Sequence, residues 1–329
     1  MSILVTGGAG YIGSHTVKQL LQENYEVIVL DNFSSGREEL LIGGEIIRGD
    51  LRNKKTLQEV FASYKIDAVI HFASLIQVGE SYQKPQKYYQ HNLLTSLNLL
   101  EVMLAHHVRK FIFSSSAAVY GEPQKIPIPE DHPLVPTNPY GQTKLFVEII
   151  LKDYARAYGL KFISLRYFNA AGADPEGKLG EMHEPETHLI PNILLTLLGQ
   201  KKEFYLFGTD FPTPDGTAIR DYIHVTDLAT AHVLAVKKLL AGEIQTDFIN
   251  LGTTKGYSVL EVIREAEKIT GLKLNYQRHP RRPGDVPILL ASRERARQKL
   301  GWELHYSDLE TIIQTAWAWH QKVATSLHR

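Results

Sequence analysis

A chain of 329 residues can build one large domain or two ordinary ones and bury a sizeable core. Lys plus Arg equals Asp plus Glu, 36 each, so no global charge exists to hold nucleic acid or an anionic membrane surface. The lack of cysteine excludes disulfides, thiolate nucleophiles and zinc–sulfur sites, and no stretch approaches the ~20 apolar residues of a membrane span. The N-terminus carries no charged leader before its short apolar run, so a soluble, cytoplasmic protein is expected.

The first half alternates short apolar strands with amphipathic helices. Strands are predicted over residues 3–6, 26–30, 68–72, 111–114 and 161–166, and helices near 11–23, 51–64, 85–106 and 140–158. Wholly apolar strands alternating with helices predict an α/β fold, a doubly wound parallel sheet of the Rossmann type covered on both faces. After Phe168 the texture changes. The run "NAAGADPEGKLGEMHEPETH" reads as a long irregular loop of the kind that often carries function. A helix is predicted over 189–199, and "VTDLATAHVLAVKKLL" reads as another, with Thr226 or Asp227 near its start. "TDFINLG" reads as a further strand. The final helix, near 308–323, spaces Leu309, Ile312, Ile313, Ala316 and Trp317 as a core stripe. A smaller mixed α/β unit is expected at the C-terminal end.

"ILVTGGAGYIGSH" places Gly7, Gly10 and Gly13 between the first strand and the first helix. Glycines there permit a tight turn and close approach of backbone to a pyrophosphate, which then faces a helix N-terminus. Asp31 closes the second strand, 18 residues past Gly13, where an acid suits adenosine ribose hydroxyls. Its charge would repel a 2′-phosphate, which favours NAD over NADP. Asp50, ending another expected strand, is a second candidate for the adenosine end.

"FIFSSSAAVYG" is a buried-type strand ending in three serines. Ligands in such sheets sit at the carboxyl ends of strands, so Ser116, furthest beyond the apolar run, is the candidate to meet a substrate oxygen. Ser114 and Ser115 are expected to satisfy backbone groups. "NPYGQTK" then puts Tyr140 and Lys144 one turn apart on a helix that Asn138 can cap and Pro139 can open. Such a pair is either an ordinary surface pair or a phenol made acidic by an ammonium.

With Ser116, Tyr140 and Lys144 in view, the chain resembles the extended short-chain dehydrogenase/reductase family, and within it the enzymes that act on UDP-sugars. The motifs that carry this likeness run in order through the whole chain: "TGGAGYIGSH", "HFAS", "VGES", "SSSAAVYG", "PYGQTK", "RYFNAAGA", "RDYIHVTDLA" and "RPGD". The resemblance implies reversible C4 epimerisation of UDP-glucose and UDP-galactose with tightly held NAD. It implies that Tyr140 is the acid/base, that Lys144 holds the nicotinamide ribose and lowers the Tyr140 pKa, and that Ser116 orients the proton. Around NAD it places Gly7, Gly10, Tyr11, Ile12, Gly13, Asp31, Asn32, Asp50, Leu51, Phe72, Ala73, Lys84, Asn92, Ser114 and Tyr167, with Tyr140 and Lys144. Against UDP-sugar it places Ser116, Tyr140, Asn169, His188, Leu189, Tyr205, Phe207, Arg220, Arg282, Asp285 and Leu289. It further implies a homodimer through helices 85–106 and 140–158.

Physical chemistry supports the central part of this. A phenol of pKa ~10 is a poor base at neutral pH, and both an ammonium and a cationic nicotinamide favour phenolate. Arg220 and Arg282 can grip a diphosphate by bidentate hydrogen bonds, and Asp285 can accept from ribose hydroxyls. The expected division is residues 1–168 for NAD, with 221–252 returning to that unit, and 169–220 with 253–329 for the UDP-sugar. His188 stands where the family pattern has asparagine. Leu289 stands where relatives gate sugar size, a bulky tyrosine excluding N-acetylated sugars, so N-acetylhexosamine or pentose UDP-sugars are alternative substrates. A 4,6-dehydratase would need an acid/base pair beside the catalytic hydroxyl, and Ala117 and Ala118 cannot move protons. A non-catalytic NAD-binding scaffold is the other alternative. The fourteen histidines show no HExxH spacing, so no metal site is expected.

Overall fold

The computed structural model describes residues 1–282 and 284–326. In chain order its elements are β1 (Ser2–Thr6), α1 (Tyr11–Gln22), β2 (Glu26–Asp31), β3 (Glu45–Arg48), α2 (Lys54–Ser63), β4 (Ala68–His71), α3 (Val78–Gln83), α4 (Pro85–Tyr88) and α5 (Leu94–Ala105). Then come β5 (Lys110–Ser114), α6 (Pro139–Tyr158), β6 (Lys161–Tyr167), β7 (Asn169–Ala171), α7 (Leu189–Leu197), β8 (Tyr205–Phe207), β9 (Ile219–Arg220) and β10 (Tyr222–His224). The chain continues through α8 (Val225–Ala241), β11 (Thr246–Leu251), β12 (Tyr257–Ser258), α9 (Val259–Thr270), β13 (Gln277–His279), β14 (Ile288–Leu289), α10 (Glu294–Leu300) and α11 (Leu309–Ser326).

Seven strands form one parallel sheet in the order β11-β6-β5-β4-β1-β2-β3. This is the doubly wound α/β sheet that the apolar strands predicted. Alternate residues of β1 point to opposite faces: Ile3 and Val5 join one core with α1 and α8, and Leu4 joins the other with α2, α5 and α6. A third core lies between α7, α9 and α11, where Leu309, Ile312, Ile313 and Ala316 are buried as the stripe required. Helix α1 packs on α8, and β11 pairs with β6, so the stretch after β10 lies with the first half of the chain.

Some local expectations need correction. The expected helix over 85–106 is interrupted by a π-helical segment at Tyr89–Leu93. Thr226 and Asp227 do lie in the first turn of α8, and its cap is His224, whose side chain accepts from the Thr226 amide at 3.1 Å. Asp227 is buried instead, accepting from the amides of His305 and Tyr306 at 3.1 and 3.0 Å and from Ser307 Oγ at 2.6 Å. The loop after Phe168 contains β7, which pairs in parallel with β10. Among the described residues no helix is long and apolar enough to cross a membrane.

Candidate active site

The glycine-rich turn joins β1 to α1 at the carboxyl edge of the sheet. Gly7 has φ +74°, and a Cβ there would lie 2.5 Å from the Ala73 amide nitrogen. A Cβ on Gly13 would lie 2.3 Å from the Gly7 carbonyl, and one on Gly10 would lie 3.3 Å from it. The turn therefore folds onto itself and onto the Phe72–Ala73 backbone only because these side chains are absent. No side chain caps α1 and no acid sits in its first turn, so its positive end around Tyr11, Ile12 and Gly13 is available to an anion. This cradle fits the pyrophosphate of a dinucleotide.

Asp31 ends β2 and is buried. Its carboxylate accepts from the Ala9 amide at 3.0 Å and the Phe33 amide at 2.8 Å, which fixes the turn beside the cradle. Burial pushes its pKa up, against those two amides. Asn32 donates to Asp50 at 3.1 Å, and Arg52 pairs with Asp50 at 2.7 Å and holds its carboxyl well below the usual range. Leu51 is buried in the core beneath them. Asn92 is buried and spent on the chain itself, bonding Leu75 through both its oxygen and its nitrogen and Thr143 at 3.1 Å. It ties the loop after β4 to α6. Lys84 is exposed and paired with Glu80 at 3.2 Å.

Ser114 ends β5, and Ser115 and Ser116 follow it. Ser114 Oγ bonds the Tyr167 hydroxyl, and Ser115 Oγ donates to Glu148 at 2.7 Å. Both bond side chains, not the backbone groups expected of them. Ser116 Oγ accepts from the Ala118 amide at 3.1 Å. Tyr140 stands in the first turn of α6, where Asn138 Oδ1 accepts from the Gly141 amide at 2.8 Å. Lys144, one turn on, is buried and donates to the Ser114 carbonyl at 2.8 Å, with its Nζ 5.8 Å from the Tyr140 ring centre. The three proposed catalytic side chains are thus gathered at one point on the sheet edge.

The electrostatic balance differs from expectation. Burial pushes the Tyr140 phenol up, and the influence of the nearby Ser116 hydroxyl opposes that. Burial also pushes the Lys144 ammonium down to about 7, with the Glu148 charge opposing. Glu148 was not singled out in the sequence. It accepts from Ser115, from Ser164 at 2.8 Å and from Arg166 at 2.9 and 2.6 Å, and Arg166 donates on to Tyr120 at 2.8 Å. This buried network lies directly behind the catalytic cluster, and a serine repeat with separated Glu and Arg gave no pattern that marks it.

A second group lies on the small sheet β12-β9-β14 and its neighbours. Arg220 on β9 is in register with Leu289 on β14. Asp285 receives Arg282 Nε at 3.0 Å and lies 3.6 Å from Arg220 Nη2. Burial lowers the Arg220 pKa and Asp285 counters it. The Arg282 guanidinium sits 5.5 Å from the centre of the exposed Phe207 ring, and Tyr205 is on the same strand, β8. Leu289 packs against the cluster of Ala117, Val119, Tyr120 and Ile128, which begins at the residue after Ser116. Asn169 donates to the Asp221 carbonyl at 3.0 Å. His188 precedes α7, with Nδ1 2.7 Å from Glu181 and 3.1 Å from Glu186. Burial opposes its charge, but those carboxylates outweigh burial and raise its pKa. Leu189 opens α7 and packs against the third core.

Residues 3–252 match the family described as NAD dependent epimerase/dehydratase. The chain belongs to that family. It is 50% identical over 322 residues to a UDP-glucose 4-epimerase of Halalkalibacterium halodurans, covering 98% of this chain and 96% of the relative. Its fold is similar to that of the Brucella ovis UDP-glucose 4-epimerase in complex with NAD, at TM-score 0.94 and 46% identity over 96% of this chain and 97% of that one. It is also similar to the Bifidobacterium longum enzyme in complex with NAD+ and UDP, at TM-score 0.93 and 42% identity over 98% of each chain. Family members are NAD dependent, and the glycine cradle of this chain has the shape and polarity for that cofactor.

Proposed function

We propose that the chain interconverts UDP-glucose and UDP-galactose by inverting the sugar C4, with Tyr140 as its acid–base group. The observation that carries this is the placement of Tyr140 in the first turn of α6, near Ser116 beyond β5, with Lys144 fixed one turn on by the Ser114 carbonyl. Bound NAD supplies reversible oxidation at C4. Tyr140 takes the C4 hydroxyl proton and returns it, and Ser116 orients that proton. The sugar passes through a planar 4-ketone that is reduced from its other face, so no net redox change occurs. Lys144 holds the Ser114 turn, and its charge favours the phenolate. Arg220, Arg282, Asp285 and Asn169 anchor the UDP end while the sugar turns.

In this reading residues 1–168 and 221–252 form the NAD unit, and 169–220 with 253–329 form the UDP-sugar unit. The protein acts as a homodimer through α5 and α6, whose exposed Leu94, Leu97, Phe146 and Ile149 support such a face. Its compartment is the cytoplasm, since a cysteine-free chain gains nothing from an oxidising one. The test incubates the pure protein with UDP-galactose without added NAD. UDP-glucose should form, and Tyr140→Phe should lower the rate about 10³-fold while retaining NAD. An unaffected rate in the variant defeats the mechanism.

A second reading is favoured by Leu289, a side chain of middle size packed against the Ala117–Tyr120 cluster and in register with Arg220: N-acetylated UDP-sugars are additional substrates. Turnover of UDP-N-acetylglucosamine below about a thousandth of the UDP-glucose rate removes it.

A further inference from the structure

The loop between β7 and α7 carries "GEMHEPETH", residues 180–188. Its spacing is Glu-x-His-x-x-Glu-x-His. The fold brings Glu181, His183, Glu186 and His188 to one point, where one ligand-type atom from each lies within 4.8 Å of all the others. Glu181 Oε1 is 2.8 Å from His183 Nδ1 and 2.7 Å from His188 Nδ1, and Glu186 Oε1 is 3.1 Å from His188 Nδ1. The acid–base chemistry at Tyr140 uses none of these four side chains.

We propose that these four side chains form a binding site for one divalent first-row transition-metal ion of the zinc class. Two imidazole nitrogens and two carboxylate oxygens are the donor set such ions take in four-coordinate sites. Calcium and magnesium prefer oxygen alone and fit it poorly. Bonds of about 2.0–2.2 Å place tetrahedral ligand atoms roughly 3.3–3.6 Å apart. The closest pairs here are hydrogen-bonded at slightly shorter separations, so a proton now fills part of the space an ion would take. The two carboxylates balance the two charges of the ion, which leaves the loaded site neutral.

The surroundings are those of a built site. Trp319 Nε1 donates to the Glu181 carbonyl at 3.1 Å. A Cβ on Gly180 would lie 2.3 Å from the Trp319 ring, so glycine lets the loop press onto α11. The Tyr11 ring meets His183 edge-on at 6.2 Å, and Glu186 accepts from the amides of Thr187 and His188 at 2.6 and 2.7 Å. The Glu181 side chain is nearly sealed, whereas those of His183 and His188 are 20% and 40% exposed, which gives an ion a way in. An ion there would fasten the loop between α1 and α11 at the start of α7. The inference does not depend on the substrate of the enzyme.

The test uses the tag-free full chain, stripped with a chelator. It is titrated with zinc by calorimetry and with cobalt(II) by visible absorption, and its melting temperature is followed. One equivalent should bind, the cobalt spectrum should show four-coordinate bands, and the melting temperature should rise by a few degrees with zinc but not with magnesium. His183→Ala and Glu181→Gln should each weaken binding at least about tenfold. If Glu181→Gln does not fold, His183→Ala decides alone, because its ring is partly exposed. Absence of saturable binding overturns the site, as does binding that the folded variants retain at full affinity.

Discussion

Lys144 shows how a single residue sets opposing demands on stability and chemistry. Its ammonium is buried against Phe113 and Tyr140 with one carbonyl partner, so burial holds its pKa near 7. In the unfolded chain the same group titrates near ~10.4. Between those values the unfolded chain holds the extra proton, so stability from this residue is full above the unfolded pKa and is lost as pH falls through the folded one. Lys144→Met removes the buried charge. The variant should gain stability relative to the parent at pH 6, and the gain should shrink by on the order of 2 kcal/mol by pH 9. Urea melts at the two pH values check this, and a gap independent of pH removes the explanation. The same variant should be inactive, the usual trade at a functional site. Tyr140, Lys144 and Ser116 were legible in the sequence because each sits in a short motif tied to a strand end or helix start. Glu148 and Arg166, 2.6 Å apart and buried, were not, because eighteen positions of ordinary helix and strand separate them. A buried pair of this kind leaves no periodic trace in the chain, yet removing one partner typically costs about 3–5 kcal/mol.

At the scale of the element, α6 converts a local signal into active-site position. Asn138 supplies the first-turn acceptor, Pro139 opens the helix, and Gly159 ends it in the left-handed region at φ +68°. Asn138→Ala should lower stability by about 1 kcal/mol and loosen the first turn, which carries Tyr140. Thermal melts give the first effect. The second should appear as a drop in kcat larger than any change in KM, because the proposed anchor for UDP lies on other elements. An unchanged kcat would mean that packing alone positions the phenol. Six of the seven strands of the main sheet were legible to within a residue or two because their apolar runs are continuous, whereas the exposed β3 was legible only as a strand ahead of Asp50. Short elements were not: α3 has six residues and β7 three, too few for a period to show. The π segment at Tyr89–Leu93 is equally silent, since its residues read as ordinary helix. The Glu181–His188 cluster shows no helical spacing in the sequence, because the fold gathers its side chains on a loop.

At the scale of the whole molecule, the parts are joined around the glycine turn. The Tyr11 hydroxyl donates to the Gly172 carbonyl at 2.5 Å, and Lys18 pairs with buried Asp174 at 2.6 Å, so α1 is bolted to the loop that leads to α7. The opposite side of the sheet is less finished. Leu94 and Leu97 on α5 and Phe146 and Ile149 on α6 are 44, 37, 42 and 45% exposed. A face of two helices, doubled by a two-fold axis, can reach the roughly 800 Å² per partner of a stable interface. Burial of that face would also brace α6, six residues from Tyr140 to Phe146, so assembly and catalysis should be linked. Phe146→Glu with Ile149→Glu would place four carboxylates against one another across the axis. Sedimentation should then show a monomer where the parent should run as a dimer, and activity of the parent should fall as it is diluted through its dissociation range. Equal sedimentation of parent and variant would move the interface to another face, and activity independent of dilution would uncouple it from Tyr140.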